Sequence, residues 1–203
     1  MTITRSCSPL LFALALSTLS TSRAAASFTN CDDGQINTIT AAVLSIGPWL
    51  GATQQDLQRI REGGDSSRFE YWFGPATEDK LSYLEALLYA VYAGGIENAH
   101  HICPPTFYCR STNDVAWTEH GSALADSPTY GVYVCDTFFG VTLDKQAGGL
   151  LHEYSHLYGA RDFTDNEVGD SRDWREVAHR LAVNDPDQAI YVAYNIEFYV
   201  SGK

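Results

Sequence analysis

The chain has 203 residues, with 13 Lys and Arg against 25 Asp and Glu, a formal net charge of −12 and 12% aromatic residues. No Lys/Arg cluster is present to neutralise phosphates, which argues against a nucleic-acid partner, and no apolar run approaches the length that spans a bilayer. The acidity favours solubility and, weakly and at low salt, cationic substrates.

The first 26 residues read as an address. Arg5 gives a positive start, Leu10-Leu11-Phe12-Ala13-Leu14-Ala15-Leu16 is an apolar core, and Ala24-Ala25-Ala26 suits cleavage. A secreted, extracellular protein is expected, with residues 27–203 as one domain of ample size for a core. Cys7 leaves with the signal. Cys31, Cys103, Cys109 and Cys135 remain, an even number that implies two structural disulfides, although four cysteines allow three connectivities.

Asp32 or Asp33 can cap a helix carrying Ile36, Ile39, Val43 and Ile46. Gly47-Pro48 should end or kink it before Leu50, Leu57 and Ile60 resume the pattern, up to Gly63-Gly64. After an aromatic segment at 69–75, Thr77 caps a helix with Leu81, Leu84, Leu87, Leu88 and Val91 on one face, and Gly94-Gly95 should terminate it. Between Cys103 and Phe139, short β-prone runs at 106–109, 115–117 and 132–135 predict a small antiparallel or mixed sheet. The fold class is therefore α+β and mostly helical.

Asp144 next caps a helix with Ala147, Leu150, Leu151, Tyr154 and Leu157 as its apolar stripe, ending at Gly159. On its neighbouring face lies His152-Glu153-Tyr154-Ser155-His156. Two imidazoles four positions apart sit one above the other on a helix, the spacing with which zincins hold Zn²⁺, and the Glu beside the first then activates water. A further helix from about Asp170 turns Trp174, Val177, Ala178 and Leu181 inward. Asp185-Pro186-Asp187-Gln188 starts a last helix carrying Ile190, Ala193, Tyr194, Ile196 and Glu197.

A catalytic zinc needs a third protein ligand. His100, His101, His120 and His179 show no spacing that ties them to the pair, whereas the loop after Gly159 offers Asp162, Asp165 and Glu167. Spacing alone does not choose among these.

The chain resembles the aspzincin metalloendopeptidases, relatives of fungal deuterolysin, and within them the peptidyl-lysine branch. The resemblance rests on Tyr71-Trp72-Phe73-Gly74, Val132-Tyr133-Val134-Cys135, Gln146-Ala147-Gly148-Gly149-Leu150-Leu151-His152-Glu153, Thr164-Asp165 with Gly169, Asp185-Pro186-Asp187 and Asn195-Ile196-Glu197-Phe198-Tyr199, in order. It implies a zincin-like fold and one Zn²⁺ per chain. His152, His156 and Asp165 would be the ligands and Glu153 the general base. It also implies Cys31–Cys103 and Cys109–Cys135 bridges, and protein or peptide substrates for a monomer that no longer engages a membrane once the signal is removed. Two departures accompany it. The family's oxyanion-binding Tyr is replaced by Val168, for which Tyr154, Tyr158 or Arg161 could substitute. The acidic pair of the lysine pocket is reduced to Glu197, with Tyr194 in place of its Asp, so the expected preference for a basic residue after the cut is mild. Both departures favour an alternative, a secreted zincin-fold protein that binds zinc or a host protein with weak or no proteolysis.

Overall fold

The computed structural model describes residues 26–105, 109, 115–118, 131–169 and 171–202. The expected signal segment up to residue 25 and the Thr106-Phe107-Tyr108 run lie outside the described residues.

Strand β1 (Ser27–Thr29) leads into α1 (Asp33–Arg61), which opens on a reciprocal cap: the Asp32 carboxylate accepts from the Gln35 amide, and the Gln35 side chain accepts from the Asp32 amide. Pro48 does not end α1; one helix runs through it. The carbonyl that loses its helical partner belongs to Leu44, an exposed residue. On the other face Ile39, Ile46, Leu50 and Leu57 are buried on both sides of the proline. Each is worth roughly 1.5–3 kcal/mol of burial, so together they outweigh the ~3 kcal/mol proline penalty.

The aromatic segment forms α2 (Ser67–Phe73), and Thr77 caps α3 (Glu78–Ala90). Gly94-Gly95 do not terminate α3; the helix widens there into a π-helical turn, Val91–Ile96. A Cβ on Gly94 would overlap the Tyr158 hydroxyl, and one on Gly95 would lie 2.9 Å from the Tyr154 ring. These glycines serve close approach to the histidine-bearing helix rather than a helix end.

Strands β2 (His100–Ile102), β3 (Ala116–Thr118) and β4 (Gly131–Val134) join β1 in a mixed sheet of order β1-β2-β4-β3, with β3 as the antiparallel edge. Disulfides link Cys31 to Cys103, fastening the start of α1 to the end of β2, and Cys109 to Cys135 beside β4. Helix α4 (Leu143–Leu157) starts one residue ahead of the expected cap Asp144, after Thr142, and packs its buried Ala147, Leu150, Leu151 and Tyr154 among α1, the π-helical turn and the helix at Ala193–Ser201.

After α4 come α5 (Asp165–Val168), α6 (Trp174–Asn184), α7 (Pro186–Ala189) and α8 (Ala193–Ser201). The single last helix expected from Asp185 is thus two helices. At the break the Arg161 amide donates to the Tyr191 carbonyl at 2.8 Å, and the Ala193 amide donates to the Arg161 carbonyl at 2.9 Å. Continuous helix there would pair the main chain of residues 191–193 internally and leave the Arg161 amide and carbonyl without these partners. Trp174 is 41% exposed rather than turned inward, whereas Val177, Ala178 and Leu181 are buried.

Candidate metal centre

The apolar stripe of α4 fixes the helix's rotation and thereby aims its neighbouring face at α8 and the returning loop. His152 and His156 stand one turn apart on that face, with ring centroids 4.7 Å apart. Their Nε2 atoms are separated by 3.0 Å, and Asp162 Oδ1 lies 3.3 Å from each. Four ligands arranged tetrahedrally at the usual zinc distances of ~2.0–2.1 Å are about 3.3–3.4 Å apart. The triangle therefore has the size of one face of such a site, and these three residues form a cluster that could hold a metal ion.

Asp165, the aspartate favoured by the resemblance, is not in this cluster. It is the exposed first residue of α5, and the Thr164 before it caps that helix, accepting from the Glu167 amide. The reason lies upstream. Gly159, at φ +99°, turns the chain back after α4, and the bridge to Val192 then holds Arg161 against the start of α8. The very next residue faces the histidines. Glu167, the other candidate, is taken up by a bidentate pair with Arg161 at 2.8 and 2.7 Å and by the Thr164 amide.

The outer nitrogens settle the chemistry of the inner ones. His156 Nδ1 is 2.9 Å from the Ala160 carbonyl, which can only accept, so Nδ1 carries the proton. His152 Nδ1 faces a Glu197 carboxylate oxygen at 3.6 Å, again an acceptor. When both rings are neutral and protonated on Nδ1, two nitrogen lone pairs and a carboxylate oxygen converge within 3.3 Å. Such a convergence is repulsive unless positive charge, a metal ion or a proton on one Nε2, occupies it. Burial opposes a charged His152, but Asp162, Glu197 and Glu153 outweigh it and push its pKa up to about 10. Asp162 is held well below the usual carboxylate range by its hydrogen bonds to the two histidines. The field at this point favours positive charge.

Glu153 is buried beside the pair, and Thr118 on edge strand β3 donates to its Oε2 at 3.1 Å. Burial raises its pKa, with the histidines and Thr118 pulling the other way, so the group is suited to holding a proton. Val168 offers no donor. Of its expected substitutes, Tyr154 is buried with its hydroxyl 2.7 Å from His101 Nε2, and Arg161 is committed to Glu167. Tyr158 packs against Gly94. Tyr194 lies with its ring 4.3 Å from that of His152 and nearly parallel to Phe163 and Trp174, at 5.2 and 5.3 Å. Thr118, Ala160 and this ring cluster were not anticipated from the sequence. Only the pairing of distant segments reveals them.

A helix that presents two histidines and a glutamate to a carboxylate from the returning loop, beside an antiparallel edge strand, is the arrangement of a metallopeptidase. The model of the aspzincin family, described as lysine-specific metallo-endopeptidase, matches residues 59–201, and the chain belongs to that family. It is accordingly a peptide-bond hydrolase. Among solved structures it is similar to a zinc peptidase from Grifola frondosa, with a TM-score of 0.65 and 20% identity over 85% of this chain and 97% of that one. That likeness concerns the fold. No curated protein matches the sequence.

Proposed function

We propose that this is a secreted zinc endopeptidase, with residues 1–26 as its signal peptide and 27–203 as its catalytic domain, in which His152, His156 and Asp162 hold one Zn²⁺ and Glu153 is the general base. The observation that carries the reading is the convergence of His152 Nε2, His156 Nε2 and Asp162 Oδ1 within 3.3 Å of one another. A zinc ion held by these residues would supply Lewis acidity toward a peptide carbonyl and toward the attacking water. Glu153 accepts the proton of the attacking water and returns it to the leaving amine. Thr118 keeps the base's carboxylate oriented. The two disulfides suit an oxidising compartment.

The missing donor at Val168 favours a second reading, a zinc-binding protein with little proteolysis, because one oxyanion donor is typically worth 10²–10³ in rate. Metal analysis together with casein digestion separates the two. The endopeptidase reading expects about one zinc per chain, and Glu153→Gln should retain the metal while losing at least ~10²-fold in turnover. Equal, slow digestion by wild type and variant would leave only the binding protein.

A further inference from the structure

The lysine-specific pattern would place Glu197 at the floor of a pocket for a cationic side chain. In this chain the carboxylate is engaged elsewhere. Its side chain is 14% exposed, and among the described residues its partner is His152, with Oε2 3.6 Å from Nδ1. That nitrogen is buried and has no hydrogen-bond partner at shorter range. The other metal-facing histidine already has its anchor in the Ala160 carbonyl. Helix α8 packs directly on α4, and Tyr194, one turn before Glu197, lays its ring against His152. A hydrogen bond across this gap would be strengthened by a cation bound at Nε2, which polarises Nδ1–H.

From this arrangement we infer that Glu197 is a positioning residue: it orients His152 and raises the basicity of its Nε2 toward the metal, and it does not select the residue after the cut. The inference rests on the zinc reading given above. Loss of such an outer partner typically costs 10–100-fold in metal affinity.

The test is the zinc dissociation constant, measured by competition with a chelator on the full mature chain. Glu197→Ala should weaken binding by about 10–100-fold. Glu197→Gln, which keeps an acceptor and the side-chain volume, should recover most of that loss, a rescue that packing alone does not predict for Ala. With zinc saturating, the residues found after the cut in a proteomic cleavage survey should be the same for wild type and Glu197→Ala. Unchanged zinc affinity in both variants overturns the inference, as does loss in Glu197→Ala of a basic preference that wild type shows. Failure of wild type to bind zinc would instead remove the metal reading on which the inference stands.

Discussion

At the scale of single residues, the site turns on which aspartate of one short loop reaches the histidines. Asp162→Ala should abolish stoichiometric zinc, whereas Asp165→Ala, which alters an exposed residue at the start of α5, should keep it; metal analysis after gel filtration checks both. Thr118→Val removes a hydrogen bond to a buried carboxylate, an interaction worth about 1.5–3 kcal/mol. It should lower kcat by roughly tenfold or more with KM and zinc content little changed, and Thr118→Ser should restore most of the rate in a steady-state peptide assay. His152, Glu153 and His156 were legible because helical spacing is a local property that the apolar stripe of α4 fixes. Asp162 was not, because its position depends on Arg161 pairing with Val192, a contact between segments thirty-one residues apart. The Thr164-Asp165 pair that resembles a ligand loop is used here to start a helix.

Among the elements, the helices are legible in the sequence and their interruptions are not. Pro48 and Gly94-Gly95 are breakers by propensity, yet α1 continues through the proline and α3 widens at the glycines. Tertiary contact overrode propensity in both places. The converse happened between α7 and α8, where a strong start signal at Asp185 yields only a four-residue helix because the main chain of residues 191–193 pairs with Arg161. The strands β1 and β2, three residues each, are too short for alternation to show. The tight seat of α4 makes a prediction. Gly95→Ala brings a methyl group to 2.9 Å from Tyr154, a ring fixed on α4 and held by His101. Relief requires the histidine-bearing helix to move, so the variant should lose about 1–3 kcal/mol of stability and bind zinc more weakly. Urea unfolding and zinc titration on the same preparation would show the two losses together.

For the molecule as a whole, stability against acid is written into His101. The ring is fully buried between Phe28 and Tyr154, and desolvation, with His100 adding to it, lowers its pKa from 6.5 to about 4. The folded ring therefore stays neutral between pH 6.5 and 4, while the unfolded chain takes up a proton over the same window. Stability consequently falls as the pH drops through that range, by on the order of 3 kcal/mol in total. Urea midpoints at pH 7 and pH 4.5 should show the drop in wild type, and His101→Gln, which does not titrate but can still pair with the Tyr154 hydroxyl, should show less of it.

The pairing of Arg161 with residues 191–193 has an architectural consequence. It returns the chain to its point of departure, so that α5, α6 and α7 form an excursion whose two ends are clipped together. Asp162 sits at one foot of this excursion and α8, with Glu197, begins at the other. What happens to the length of the excursion, at exposed Arg172 for example, is therefore decoupled from the spacing of the metal-facing groups. Loop lengthening is thermodynamically mild, so an insertion at Arg172 should leave the spacing of the groups at the base of the excursion unchanged.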